Sequence, residues 1–384
     1  MDFDLSEEQT MLKDSVERLL KDQYGFEARS KHGTGEAGYS DKMWNQYAEL
    51  GLLALPFAED DGGIGGGATE TMIVMEAFGG ALILEPFFAS IILAGGVLRH
   101  AGNAEQKAAL IPAMAEGSLK MAFACAEPQG RYDLYDVETT ATKDGDGWVI
   151  NGKKALVLHG DSADKLIVSA RTAGNARDED GISLFILDAD AEGVTRNGYP
   201  TQDGLRAAEI TLQSVKVGPD ALIGSEGEAW PVISRVADEA IAALCAEAVG
   251  CFEKMHELTL EYLKTRSQFG TTIGSFQALQ HRAVDMFVEL EQSRSMTMYA
   301  SMLATGDDAV ERARAVSAAK AQIGESAKVI GREAVQLHGG VGMTMEYAIG
   351  HYFKRTTMLD ILFGDANHHL KRLARLDGLI REDS

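Results

Sequence analysis

The sequence predicts a mainly α-helical protein with a small antiparallel β domain at its centre. Hydrophobic residues recur with the helical period over residues 1–119 and again over 223–384. Between them, over 120–222, the pattern changes to short β-rich runs punctuated by turn residues. A chain of 384 residues can bury two or three cores. The texture therefore divides it into an N-terminal helical domain (1–119), a middle β barrel or sandwich (120–222) and a C-terminal helical bundle (223–384).

The first helix is read from "LSEEQTMLKDSVERLLKDQ", with Ser6 as N-cap and Met11, Leu12, Val16, Leu19 and Leu20 along one stripe. "MWNQYAELGLLAL" and "ETMIVMEAFGGALI" read as further helices around the loop "EDDGGIGGG" (59–67). That loop has glycines but no Lys-Ser/Thr and no preceding strand, so a plain turn is expected rather than a phosphate cradle. Strands are read in "MAFACA", "GWVING", "KKALVLHG", "DKLIVSAR", "ISLFILD" and "ITLQSVKV", with turns at "DGDG" (144–147) and "NG" (151–152). In the last third, "SFQALQHRAVDMFVEL" places Phe276, Leu279, Ala283, Met286, Phe287 and Leu290 on one face. The Ala-rich helix that follows is stopped by Gly339 and Gly340.

Composition narrows the function. A net charge of −22 disfavours nucleic acid and anionic membrane surfaces, since both need a basic face. Cys125, Cys245 and Cys251 lack metal-site spacing and cannot all pair, which suits a reducing cytosol. The acidic start "MDFDLSEEQTML" is no signal peptide, and "ALILEPFFASIILAGG" is interrupted by Glu85 and Pro86, so a cytoplasmic protein is expected.

Two segments, "TRSQFGTTIGSFQALQHRAVDM" (265–286) and "AVQLHGGVGMTMEYAIGHYFKR" (334–355), closely resemble paired motifs of the acyl-CoA dehydrogenases. Weaker echoes run through "GGIGGG", "CAEP" (125–128), "INGKK" (150–154) and "GLRAAEITLQSVKVGPDALIG" (204–224), so the resemblance covers nearly the whole chain. It implies an N-terminal helical domain, a middle β domain and a C-terminal four-helix bundle, assembled as a tetramer of two dimers. It also implies oxidation of the Cα–Cβ bond of an acyl-CoA to trans-2-enoyl-CoA. A carboxylate takes the α proton, FAD takes the hydride, and an electron-transferring flavoprotein is the expected acceptor.

In the resembled family each FAD lies across a dimer interface, with its ring on one subunit's β domain and its ADP end on the other's bundle. The resemblance assigns the bundle contacts to Arg266 at the pyrophosphate, with Gln268, Phe269 and Ile273 beside it. Gln336, Gly339 and Gly340 fall along the adenosine.

The β-domain half departs from the family. Ala126 stands where a threonine is expected, Arg131 and Tyr132 where glycine and serine are expected. Leu156 replaces a tryptophan, Leu158 a hydroxyl residue and His159 an asparagine. The C-terminal base position falls on Gly364 of "FGDANHHL", one residue before Asp365. The family's second base position falls on Ala240, just after Asp238 and Glu239. Asp365 is thus the candidate base of this chain. A shift of one residue along a helix turns a side chain by about 100°, which a reacting geometry tolerates poorly. His368 and His369, read with His351 as metal ligands or a base, lack a zinc-site pattern, so no metal is expected and a polar helix start is preferred.

An intact bundle half and an eroded β half are the pattern of one subunit in a heteromeric acyl-CoA dehydrogenase. The chain resembles especially the small subunits of heteromeric bacterial acyl-CoA dehydrogenases of the pimeloyl-CoA dehydrogenase type. An α2β2 assembly with a base-carrying large subunit is expected, acting on a dicarboxylic or bulky acyl-CoA. A self-sufficient homotetramer using Asp365 and a non-catalytic scaffold remain the alternatives.

Overall fold

The computed structural model describes residues 5–380. In chain order the first helices are α1 (Glu7–Gln23), α2 (Phe26–Gly33), α3 (Asp41–Glu49) and α4 (Ala68–Ala81). A π-type segment over Phe88–Ala94 runs into α5 (Gly95–Ala101), and α6 (Ala104–Ala115) follows. The strands are β1 (Met121–Ala124), β2 (Thr140–Asp144), β3 (Gly147–Leu158), β4 (Lys165–Arg171), β5 (Ile182–Asp188), β6 (Val194–Pro200), β7 (Arg206–Val217) and β8 (Leu222–Ile223). Then come α7 (Trp230–Thr265), a small hairpin of β9 (Ser267–Gln268) and β10 (Thr271–Thr272), α8 (Gln277–Ala304), α9 (Ala309–His338), α10 (Ala348–Ile361) and α11 (Ala366–Leu376).

The chain packs as two compact units that do not follow its sequence order. One is built from the described parts of Met1–Lys31 and Ile241–Ser384 together with Ala68–Ile83; the other from His32–Gly67 and Leu84–Ala240. Helices α1 and α4 thus belong with the C-terminal helices rather than with α3, α5 and α6.

In the β-containing unit the sheet order is β6-β7-β3-β2-β4-β5-β8, with β1 joined to β4. Most pairs are antiparallel as expected, but β1 and the start of β2 both run parallel to β4. Trp148, Ile150, Leu166, Val168, Phe185, Leu187, Ile210 and Val215 form the core on one sheet face. The "DGDG" turn is a hairpin in which Asp144 pairs with Gly147. "NG" at 151–152 is not a turn. It is a bulge inside the long strand β3, where the register against β7 shifts between Ile150 and Gly152. Asn151 instead accepts the Ser214 amide through Oδ1 (2.7 Å). The strands β2, β6 and β8 have no clear alternating pattern, because their side chains are largely exposed or their span is two residues.

The glycine loop is a built turn. The amides of Gly63, Ile64, Gly65 and Gly66 donate to the carbonyls of Ala58, Ala54, Phe57 and Leu55. None is left to face a phosphate.

In the helical unit, α1 starts at the expected cap: Ser6 Oγ accepts the Gln9 amide and Gln9 Oε1 accepts the Ser6 amide. Val16 and Leu20 are buried, but Met11 is 69% exposed, so the buried stripe is narrower than the sequence suggests. The same holds on α8, where Ala283, Met286 and Leu290 are buried while Phe276 and Phe287 are exposed. Helix α9 is the axis of this unit and packs against α8, α10 and α11. Its buried Ala313, Ala315, Ala319, Ala321, Ala327 and Ala334 keep those approaches close. Where α4 meets α7, a Cβ on Gly79 would lie 1.9 Å from the Glu247 carbonyl oxygen, and one on Gly250 1.8 Å from that of Glu76. Only glycine permits this contact. Arg355 of α10 forks onto the Glu247 carboxylate of α7 through Nε (2.6 Å) and Nη2 (2.7 Å), both groups buried.

Candidate functional site

The bundle-side residues are presented outward. After α7 ends, the Arg266 amide donates to the Tyr262 carbonyl (2.8 Å) and the Ile273 amide to the Arg266 carbonyl (2.9 Å), which closes the hairpin. Phe269 (φ 56°) and Gly270 (φ 82°) form its two-residue turn. This leaves Phe269 91% exposed, edge-on to Phe276. Gln268 is exposed and its amide group donates to the Ser267 carbonyl (2.8 Å). The Arg266 guanidinium is exposed and forms no ion pair among the described residues. Gln336 lies exposed on the last turn of α9, and a Cβ on Gly339 or Gly340 would meet nothing within 4 Å. The structure brings these two segments together through residues the sequence reading passed over: Tyr262 of α7 stacks on His338, the last residue of α9.

The β-domain residues satisfy one another. Leu156 (φ 50°) is 38% exposed and its amide donates to Glu209 Oε1 (3.4 Å). The same oxygen accepts the Tyr199 hydroxyl (2.9 Å), and burial with this carboxylate pushes the Tyr199 phenol up to about 12. The Ala126 carbonyl accepts the Ala155 amide (2.9 Å). Leu158 is half-buried, Arg131 is exposed with φ 48°, and Tyr132 is half-buried. His159 is buried, its amide donates to the Arg206 carbonyl (2.9 Å), and its ring meets Tyr39 edge-on at 5.9 Å.

Beneath this face lies a buried ion pair that the weak echoes "CAEP" and "INGKK" concealed. Lys154 Nζ donates to Glu127 Oε1 (2.7 Å) and to Ser169 Oγ (3.0 Å), and Glu127 also accepts the amides of Glu138 and Thr139 and the side chain of Gln129. Burial alone would raise the Glu127 carboxyl. The Lys154 charge and these hydrogen bonds outweigh burial and hold it down at about 2. Nothing in the local pattern signals the pair, because 27 residues separate its members.

The loop between α10 and α11 is equally committed. Gly364 has φ 108°, and a Cβ there would lie 2.5 Å from His368 Cδ2 and 2.8 Å from His369 Nε2. Its carbonyl, with that of Asp360, accepts the ammonium of buried Lys320 (2.8 and 2.7 Å), which burial lowers to about 8. Asp365 is the N-cap of α11, its Oδ1 accepting the His368 amide (2.8 Å). His369 lies near Ser317 Oγ (3.2 Å) through Nδ1 and donates from Nε2 to the Phe363 carbonyl (3.0 Å); burial and the Lys320 charge hold it far below the ordinary histidine range. His351 Nε2 donates to the Met345 carbonyl (3.0 Å). The rings of His351 and His369 therefore serve separate hydrogen bonds, the His368 ring stands edge-on to His369, and no group of three or more metal-ligating side chains occurs among the described residues.

At the second base position Ala240 is buried. Burial would raise the neighbouring Glu239 carboxyl, but His100 (2.8 Å) and Arg99 (2.6 Å) hold it below the ordinary range. No helix among the described residues is long and apolar enough to cross a membrane.

Comparison with known proteins shows the family. Three family models match: acyl-CoA dehydrogenase, N-terminal domain (residues 6–118), middle domain (122–215) and C-terminal domain (227–376). The probable acyl-CoA dehydrogenase YngJ of Bacillus subtilis is 30% identical over 97% of this chain and 98% of that protein. A solved structure described as a variant of the Tcur3481-Tcur3483 steroid ACAD is 29% identical, with TM-score 0.87 over 97% of this chain and 98% of that one. A structure described as the FAD complex of PigA is 28% identical, with TM-score 0.91 over 99% of this chain and 100% of that one. With all three domain models matched in order along one continuous chain, this protein belongs to the acyl-CoA dehydrogenase family.

Proposed function

We propose that this chain is a subunit of an FAD-dependent acyl-CoA dehydrogenase, completing a partner's flavin site from its helical bundle while a homologous large subunit carries the base. When bound, FAD supplies the hydride acceptor for oxidising the Cα–Cβ bond of an acyl-CoA to the trans-2-enoyl-CoA. The bundle residues fit its ADP end. Arg266 is an exposed cation without an acidic partner among the described residues, and the Gly339–Gly340 backbone is open to close approach. The β-domain residues fit the flavin ring poorly, because Glu209 already takes the Leu156 amide and the Tyr199 hydroxyl, and Leu156 and Leu158 offer no polar group. No step is assigned to that side.

The observation that carries the reading is the loop at the family's base position. Gly364 is held at φ 108° with its carbonyl bound by Lys320, and Asp365 is spent on capping α11. The similarity to a steroid ACAD whose description joins two protein names supports a two-protein assembly. The steroid in that description favours a bulky acyl group; a dicarboxylic acyl-CoA and an electron-transferring flavoprotein as acceptor are carried over from the sequence resemblance alone.

Expression alone and with a homologous acyl-CoA dehydrogenase subunit tests the reading, by flavin absorbance per chain and acyl-CoA-dependent dye reduction. A yellow, active protein from this chain alone would overturn it, and a flavin-free inactive complex would favour a scaffold. Arg266→Ala in the active assembly is expected to weaken FAD about 10- to 100-fold, the loss of a charged hydrogen bond of roughly 1.5–3 kcal/mol. Flavin release on dilution measures it.

Asp365→Asn separates the heteromer from the self-sufficient enzyme. Asparagine caps a helix as well as aspartate but cannot take a proton. The expected outcome is an unchanged melting temperature with full dye reduction. A loss of activity at unchanged stability would make Asp365 the base.

A further inference from the structure

Three rings join the two segments that carry the proposed ADP contacts. His338 closes α9 and is 3% exposed. Its ring stacks on Tyr262 of α7 (centroids 4.6 Å apart, planes at 30°) and lies 5.0 Å from the ring of Tyr347, the residue before α10. Both ring nitrogens are engaged. Nδ1 sits 2.8 Å from the Ala334 carbonyl oxygen, which can only accept, so Nδ1 carries the proton. Nε2 therefore accepts the Tyr347 hydroxyl at 3.2 Å.

Each ring stands at the root of a contact. The Tyr262 carbonyl takes the Arg266 amide, so the ring and the hairpin share one helical turn. His338 is followed directly by Gly339 and Gly340. Gly342, in the same turn, would place a Cβ 3.0 Å from the His338 Cβ, which shows how closely the turn folds back on this side chain.

We propose that His338 is a positioning residue which, clamped between Tyr262 and Tyr347, holds the Arg266 hairpin and the Gly339–Gly340 turn at the spacing that binds the ADP end of FAD. The inference rests on the bundle-side reading above. A diphosphate is recognised by a guanidinium fork only in a narrow geometry. The hairpin and the glycine turn are exposed and have little packing of their own to set that geometry. The stack supplies it from beneath.

The clamp in this form depends on a neutral imidazole: protonation makes Nε2 a donor, so the Tyr347 hydroxyl must turn round to accept, and it places a charge on a ring shielded from water. Burial holds His338 below the ordinary histidine value, against the carbonyls of Ala334 and Leu258, which favour the charged form. The titratable groups around the clamp are Tyr262 on α7, Tyr347 before α10 and, acting on Tyr347, Glu261 on α7. Because the folded-state value is lowered, the clamp is intact at neutral pH and is lost as pH falls through it.

The test uses the purified FAD-containing assembly and reads the fluorescence of flavin released on dilution, across a pH series. His338→Phe keeps a ring but removes both hydrogen bonds; Tyr347→Phe removes one hydroxyl. Each is expected to weaken FAD about tenfold at neutral pH, the scale of one displaced hydrogen bond, with an unchanged melting temperature. Acid release of FAD should follow a one-proton step in the unmodified assembly. That step should move to higher pH in Tyr347→Phe, which loses the bond favouring the neutral ring, and disappear in His338→Phe. Identical pH profiles in all three proteins would overturn the inference, as would flavin loss that only tracks unfolding. Should His338→Phe fail to fold, the midpoint shift in Tyr347→Phe still decides. Arg266→Ala separates the two levels. If that variant keeps its FAD, the bundle-side reading itself fails; if it loses FAD while both ring variants bind normally, only the role of His338 fails.

Discussion

Lys154→Met should destabilise the β domain by about 3–5 kcal/mol, the cost of leaving a buried charge without its partner. Methionine fills the space of the lysine stem, so little of the loss comes from a cavity. What is lost is the ammonium 2.7 Å from Glu127 Oε1, in a site where both side chains are almost fully shielded from water. Acid sensitivity should change with it. Glu127 is held at about 2, below the ordinary carboxylate range, so its contribution is complete above that range and disappears only as pH falls toward 2. In Lys154→Met the carboxyl rises and acid unfolding should begin at higher pH. Glu127→Gln combined with Lys154→Met should recover most of the stability, because the remaining groups are neutral. Urea unfolding followed by tryptophan fluorescence measures all three, Trp148 lying in the same core. Equal stability of the single and double variants would mean the pair is not ionised.

Gly364→Glu, which puts a carboxylate back at the family's base position, is expected to create no dehydrogenase activity in this chain and to destabilise the helical unit. Backbone at φ 108° is glycine territory, and holding another residue there costs on the order of 1–3 kcal/mol. The new Cβ would also collide with His368 and His369 at 2.5 and 2.8 Å. The loop cannot easily move away, since its carbonyl is bound by Lys320 and Asp365 caps the next helix. Removing the first obstacle with His368→Ala should return part of the stability but still no activity. Thermal melting and dye reduction with the chain expressed alone check both statements. Activity from Gly364→Glu alone would show that the loop is mobile enough to present a base and that the rest of the site is competent.

Much of the proposed site was legible in single residues. Gly364 is the clearest case: it falls at the resembled family's base position, and a residue without a side chain supplies no carboxylate. Arg266, Gly339 and Gly340, the proposed FAD contacts, could likewise be singled out one at a time, and the structure leaves all three exposed. Phe269 shows the same logic from the other direction, a large apolar side chain 91% exposed at the tip of a two-residue turn. What stayed hidden were groups whose meaning depends on a distant partner. Glu127 and Lys154 read as faint echoes of motifs until the sheet placed them in contact. Tyr262 drew no notice, and His338 and Tyr347 passed unremarked inside the 334–355 motif.

By itself, then, the sequence determined the order of helical and β segments, the caps at Ser6 and at Gly339, and the family. These depend on local periodicity and on residue types that are interpretable one at a time. Only the tertiary structure decided that "NG" at 151–152 is a bulge within β3, that α1 and α4 pack with the C-terminal helices, and that Asp365 is a cap. The first two depend on which remote groups meet, and no stretch of sequence contains both halves of such a contact; the Asp365 cap is local, three residues from His368, and was decided by which of its two possible uses the folded loop adopts.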